Sequence, residues 1–153
     1  MQESGFSGGC QCGAVRFHAG KIGRPSICHC RMCQKQFGNF FGALVSADQA
    51  HLTWTRGQPK LFRSSAKIHR GFCEKCGTPL TYHYPGGVEL AIGAFDTPEV
   101  LEPQVQVNFE HRMPWIDQLF EKPSVQQSVD EATIISFQHP DHDTAVWPPE
   151  DQA

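Results

Sequence analysis

Apolar and polar residues alternate in short runs along most of the chain. Ala14-Val15-Arg16-Phe17-His18-Ala19 is the first such run, and alternation of this kind predicts a strand with successive side chains on opposite faces. Gly23 and Pro25 predict a turn, after which Ser26-Ile27-Cys28 reads as extended. A short helix is expected near Arg31–Phe37, stopped by Gly38. Residues 39–46 are apolar on both faces and predict a buried strand. Residues 52–55 alternate again, and Arg56-Gly57-Gln58-Pro59 turns the chain into a short strand at Lys60–Arg63. The aromatics here, Phe40, Phe41, Trp54 and Phe62, are expected in the core. Residues 81–84 and 88–92 flank Pro85-Gly86-Gly87 and predict a hairpin. Residues 104–109 predict a further strand, 113–117 a short helix and 133–137 a late strand. The pattern is that of a mainly β protein with one or two short helices.

Length and composition narrow the class. The 153 residues suit one domain, and 39% hydrophobic with 19% charged residues is a globular balance. We expect a single domain over residues 5–137, followed by a flexible, solvated Pro/acidic tail over residues 138–153. His139, Asp141, His142 and Asp143 in that tail read as solvated rather than as a metal cluster. A net charge of -3 argues against a nucleic-acid partner. No apolar run is long enough for a bilayer, and the first residues carry neither a basic end nor an apolar segment. A cytoplasmic location is the expectation, with no membrane partner.

Seven cysteines change the picture most. They fall as a pair, Cys10 and Cys12; a triplet, Cys28, Cys30 and Cys33; and a pair, Cys73 and Cys76. An odd count in a reducing compartment argues for ligands rather than disulfides. Four thiolates close a tetrahedral zinc, and three leave one corner open for water or substrate. Both outer pairs end in glycine, Gly13 and Gly77, as facing knuckles would. The preferred grouping joins the outer pairs on one structural zinc and leaves Cys28, Cys30 and Cys33 on a second. The other grouping, first four and last three, splits the compact triplet. A redox CxxC pair lacks the surrounding βαβ pattern, and iron–sulfur ligation fits the spacing no better than zinc. If residues 26–30 are extended, His29 faces away from Cys28 and Cys30.

Taken together, Gly9-Cys10-Gln11-Cys12-Gly13, Cys28-His29-Cys30-Arg31-Met32-Cys33-Gln34-Lys35 with Gly38, Ser64-Ser65 and Arg70-Gly71-Phe72-Cys73-Glu74-Lys75-Cys76-Gly77-Thr78-Pro79-Leu80 resemble the glutathione-dependent formaldehyde-activating enzymes. That family includes the centromere protein V branch. The resemblance spans roughly residues 5–117. It implies an Mss4-like β fold, structural zinc on Cys10, Cys12, Cys73 and Cys76, and an exchangeable zinc on Cys28, Cys30 and Cys33 that carries catalysis. It also implies a carbon–sulfur lyase that adds glutathione, its small-molecule partner, to formaldehyde. Where many members have a His-Ile pair, this chain has Gln106-Val107. Arg31, Lys35, Arg63 and Arg70 are cations that could pair with the carboxylates of a peptide thiol. The centromere branch suggests a second reading, a non-catalytic zinc module that binds a protein.

Overall fold

The computed structural model describes residues 2–149. Nine strands form one sheet: β1 (Gln2–Gly9), β2 (Arg16–Cys28), β3 (Gly42–Ala47), β4 (Leu52–Arg56), β5 (Lys60–Arg63), β6 (His69–Phe72), β7 (Pro79–Tyr84), β8 (Gly87–Ala91) and β9 (Val105–Val107). The main path across it is β1-β2-β3-β8-β7-β6-β5, with β4 and β9 also paired to β2. Every pairing is antiparallel except β9 with β2. The one α-helix among the described residues is α1 (Arg31–Phe37).

The long strand β2 organises the molecule. Its first part pairs with β1 and β4, and its last three residues pair with β3 and β9. The expected turn at Gly23 and Pro25 is instead a register shift against β3 between Ile22 and Pro25. A bulge lets a strand bend and change neighbours without reversing. Pro25 still contributes its carbonyl, which accepts from Gln104 N at 3.0 Å.

Alternation along β3 and β8 gives the sheet two faces. Val45, Val88 and Leu90, none more than 1% exposed, turn to the main core. Phe17 joins them there, packed edge-on against Phe95 at 5.0 Å and Trp54 at 5.9 Å. The opposite face carries a cross-strand row, Arg70–Tyr82–Glu89–Ser46, running through β6, β7, β8 and β3. That second face borders the functional site.

Several expectations need correction. Residues 39–41 turn rather than extend, so β3 starts at Gly42. Phe40 is 37% exposed and meets Trp115 edge-on at 4.7 Å. Phe62 lies on the edge strand β5 and is 60% exposed, not core. Residues 133–137 form no strand, and Ile134, Ile135 and Phe137 are exposed. Alternation alone does not make a strand; a partner edge must be present for it. The helix expected at 113–117 is a 3₁₀ segment at Ile116–Glu121.

Candidate metal centres

The seven sulfurs gather into two groups. Those of Cys10, Cys12, Cys73 and Cys76 lie within 4.8 Å of one another, as do those of Cys28, Cys30 and Cys33. All seven cysteines are free thiols.

The four-thiol group is made by two turns of the same construction. Cys10 and Cys12 sit in a turn between β1 and β2. In that turn Cys10 N donates to Val15 O at 2.9 Å and Gly13 N to Cys10 O at 3.0 Å. The second turn repeats the scheme between β6 and β7: Cys73 N donates to Thr78 O at 3.0 Å and Gly77 N to Cys73 O at 2.8 Å. Gly13 and Gly77 have φ of 77° and 80°, a left-handed conformation that side chains disfavour. The turns bring Cys10 and Cys12 sulfurs to 3.6 Å and Cys12 and Cys73 sulfurs to 3.9 Å. A tetrahedral ion with about 2.3 Å metal–sulfur bonds needs sulfurs about 3.8 Å apart. The donors therefore fit such an ion, and an all-thiolate set suits a soft metal. Burial pushes the Cys10 and Cys12 thiols up. Cys76, against the effect of its own burial, is drawn down to about 6 by hydrogen bonding to Thr78.

A strap closes over these turns. Residues 138–149, expected to be solvated, run across them. His139 is only 4% exposed, and its N–H donates to Gln11 O at 2.7 Å. Its ring fills the space where a Cβ on Gly13 would fall, 2.0 Å from His139 Cδ2. Trp147 Nε1 donates to Cys12 O at 2.6 Å, and Lys75 Nζ lies 5.1 Å above the Trp147 ring. Arg16, 3% exposed, joins Asp96 at 2.6 Å and Asp143 at 2.7 Å. Arg56 donates to Thr144 O at 2.6 Å. Composition gave no sign of this strap; its polar residues find partners only in the folded chain.

The three-thiol group is built by a strand running into a helix. Cys28 ends β2, Cys30 caps α1 and Cys33 lies in its first turn. Cys30 has extended backbone, and its sulfur accepts from Cys33 N at 3.4 Å, the role of a capping side chain. At the other end Gly38 caps α1 in the left-handed conformation, where the sequence placed the stop. Gln34, 4% exposed, pins the helix by donating from Nε2 to His29 O at 2.8 Å and His111 O at 3.2 Å.

Two residues not singled out as ligand partners hold these sulfurs. Arg70, 2% exposed, points both terminal nitrogens at Cys33 Sγ, at 3.6 and 3.5 Å. Its Nε donates to Ser64 Oγ at 3.0 Å, and its guanidinium lies 4.9 Å over the Tyr82 ring. Asn108 Nδ2 donates to Cys28 Sγ at 3.2 Å. Hydrogen bonding with Cys33 draws Cys28 down to about 5, while the same bond and burial push Cys33 up. The sequence marked Arg70 only as a possible carboxylate-binding cation. Asn108 adopts a left-handed φ of 54° just after β9, a feature no pattern in the sequence signals.

In front of the sulfurs lies a cavity of about 360 Å³, lined by Cys28, Cys30, Cys33, Arg70, Tyr82 and Glu89 among others. The four-thiol group lies under the strap, and the smaller cavity there, about 180 Å³, touches Cys10 alone of its four cysteines, whereas all three cysteines of this group line theirs. His29 takes no part in either sulfur group. It is fully buried, with Nε2 2.8 Å from Gln106 Oε1 and its ring edge-on to Phe41 and Phe109. Of the other cations, Arg31 donates to Gln34 Oε1 at 3.3 Å, Arg63 to Ala66 O at 3.5 Å, and Lys35 is exposed. Arg31, Lys35 and Arg70 share a second cavity of about 410 Å³ with Met32 and Phe62.

No helix among the described residues is long and apolar enough to cross a membrane. No curated protein matches the sequence. A family model described as glutathione-dependent formaldehyde-activating enzyme matches residues 5–111, a span that holds all seven cysteines, Arg70 and Asn108 and stops short of the strap. With more than two thirds of its length inside that match, the chain belongs to the glutathione-dependent formaldehyde-activating enzyme family.

Proposed function

We propose that this protein is a zinc-dependent carbon–sulfur lyase. It adds a glutathione-like thiol to formaldehyde, or to a related small electrophile, at Cys28, Cys30 and Cys33. The product with formaldehyde is S-(hydroxymethyl)glutathione. The observation that carries this reading is the asymmetry of the two groups: four thiols under a strap, three thiols facing a cavity. Zinc on Cys10, Cys12, Cys73 and Cys76 serves the fold. Zinc on the other three thiols would supply a lowered thiol pKa and a polarised carbonyl at neutral pH. The remaining work falls to the protein. Arg70 and Asn108 fix two of the three sulfurs and offset their negative charge. The cavity admits a small electrophile beside a thiol, and bringing the two together removes much of the entropic barrier. A cytoplasmic location follows from the reaction's need for a reduced thiol pool and free cysteines.

Metal analysis combined with a glutathione titration tests the proposal. The expected result is two zinc ions per chain, glutathione binding by calorimetry and adduct formation faster than in buffer. No binding together with a buffer-like rate removes the reading. A second reading, a non-catalytic zinc module for a protein partner, draws on Phe120, Val125, Ile135 and Phe137, which are 93, 82, 81 and 68% exposed. It is favoured if glutathione does not bind and a stoichiometric partner is captured whose affinity is unchanged in Cys30→Ser.

A further inference from the structure

Glu89 is the acidic residue of the cavity, and the fold gives it nothing to hold. It stands on β8 between Val88 and Leu90, both committed to the core face, so alternation turns it to the other side. Its cross-strand neighbours are Tyr82 and Ser46, and the row continues to Arg70. Arg70 is the cation that lines the same cavity, and its guanidinium is engaged by Cys33, Ser64 and the Tyr82 ring. Glu89 forms none of the ion pairs among the described residues. A partly buried carboxylate without a partner weakens a fold, so its presence calls for a use.

Its position suggests one. The carboxylate lines the cavity with all three sulfurs but lies outside their 4.8 Å grouping. It therefore faces the reaction space rather than filling a ligand position. Burial, and then the nearby Cys28, push its carboxyl up from the usual carboxylate range.

We propose that Glu89 is a catalytic residue that takes the proton of the incoming thiol and returns it to the aldehyde oxygen. This rests on the thiol-addition reading above. The step balances without an oxidant or reductant. The S–H bond breaks and its proton passes to the Glu89 carboxylate. The sulfur lone pair forms the S–C bond while the C=O π pair moves to oxygen. That oxygen then takes the proton from Glu89, giving R–S–CH₂–OH and the starting carboxylate.

The test is calorimetry of glutathione binding to the zinc-loaded protein at pH 7, in two buffers of different ionisation enthalpy, which counts protons released. A free thiol keeps its proton at this pH. Wild type is expected to bind the thiol with about zero protons passed to buffer, because Glu89 retains the proton. Glu89→Gln is expected to release about one proton per thiol bound and to lose about a hundred-fold or more in turnover. Glu89→Asp, which keeps the carboxylate, is expected to resemble wild type in proton count. Release of one proton by wild type, or equal counts in wild type and Glu89→Gln, overturns the proposal, and the wild-type count stands even if a variant fails to fold. Absence of glutathione binding to wild type is a separate outcome: it removes the thiol reading itself, and the role of Glu89 with it.

Discussion

The two cysteine clusters use the same donor atom and differ in everything around it. In the four-thiol cluster, backbone turns of one design fix both halves, and residues 138–149 lie across them. In the three-thiol cluster, a strand end and a helix start fix the sulfurs, Arg70 and Asn108 hold two of them, and all three cysteines line one cavity. The difference shows how one chain can separate two uses of one ligand chemistry. A saturated site tied to four strand ends couples metal binding to folding. An unsaturated site beside an open space leaves its fourth position for chemistry.

The largest expected effect breaks the clusters apart by folding. Cys76→Ser should cost most of the structural stability, since a closed thiolate site contributes on the order of 10 kcal/mol of apparent binding energy to a fold. Cys30→Ser should leave a cooperatively folded protein with one zinc instead of two. Circular dichroism melts with metal analysis on both variants decide the matter, and equal loss of folding would refute the division. Next in size is Arg70→Met. Stripping a buried cation from a sulfur it faces should cost about 3 kcal/mol or more. It should also weaken metal binding at the three-thiol cluster by about 10–100-fold, as loss of a ligand's supporting partner does. Competition with a chromophoric chelator reads both clusters at once, and an equal change at the four-thiol cluster would make Arg70 a general stabiliser only.

What the sequence could reveal follows from how local each feature is. The grouping of the thiols was legible because CxC-Gly and CxxC-Gly are complete turns within five residues. The helix over Arg31–Phe37 was legible because its stop, Gly38, lies next to it. Arg70 was legible only as a cation that could meet a carboxylate, not as the partner of Cys33, and Glu89 was not legible as a cavity residue. Each reads as an ordinary strand residue until the sheet order places β6, β7 and β8 side by side beneath the sulfurs. The bulge at Ile22 and Pro25 misled for a similar reason, since Gly and Pro mark a bend, while neighbouring strands decide whether the chain reverses. The strap was hidden because its partners, Gln11, Cys12 and Arg16, lie more than a hundred residues away in sequence.

The strap offers a smaller and more selective test. Asp143→Asn removes one arm of the Arg16 ion pair. Asp143 is 55% exposed, so the stability loss should stay below about 1 kcal/mol. Metal exchange from the four-thiol cluster should still quicken, with no change at the three-thiol cluster. Isotope-exchange rates for metal loaded at each cluster measure this, and a change at both clusters would deny the strap its local role.

The smallest effect concerns pH. Burial, with Arg16 and Arg56 nearby, holds the His139 imidazole below its ordinary 6.5. The folded strap thus favours the neutral ring, while the unfolded strap can protonate at its ordinary value. Its docking contribution is fully present above pH 6.5 and is lost as pH falls through the lower folded value. Amide hydrogen exchange at residues 138–149 should rise between pH 7.5 and 5.5, after correction for the intrinsic rate. In His139→Gln, which cannot ionise, the corrected exchange should be higher at pH 7.5 and flat across the same window. A wild-type profile as flat as the variant's would show that His139 packs against Gly13 as a shape alone, and that the strap does not sense protons through it.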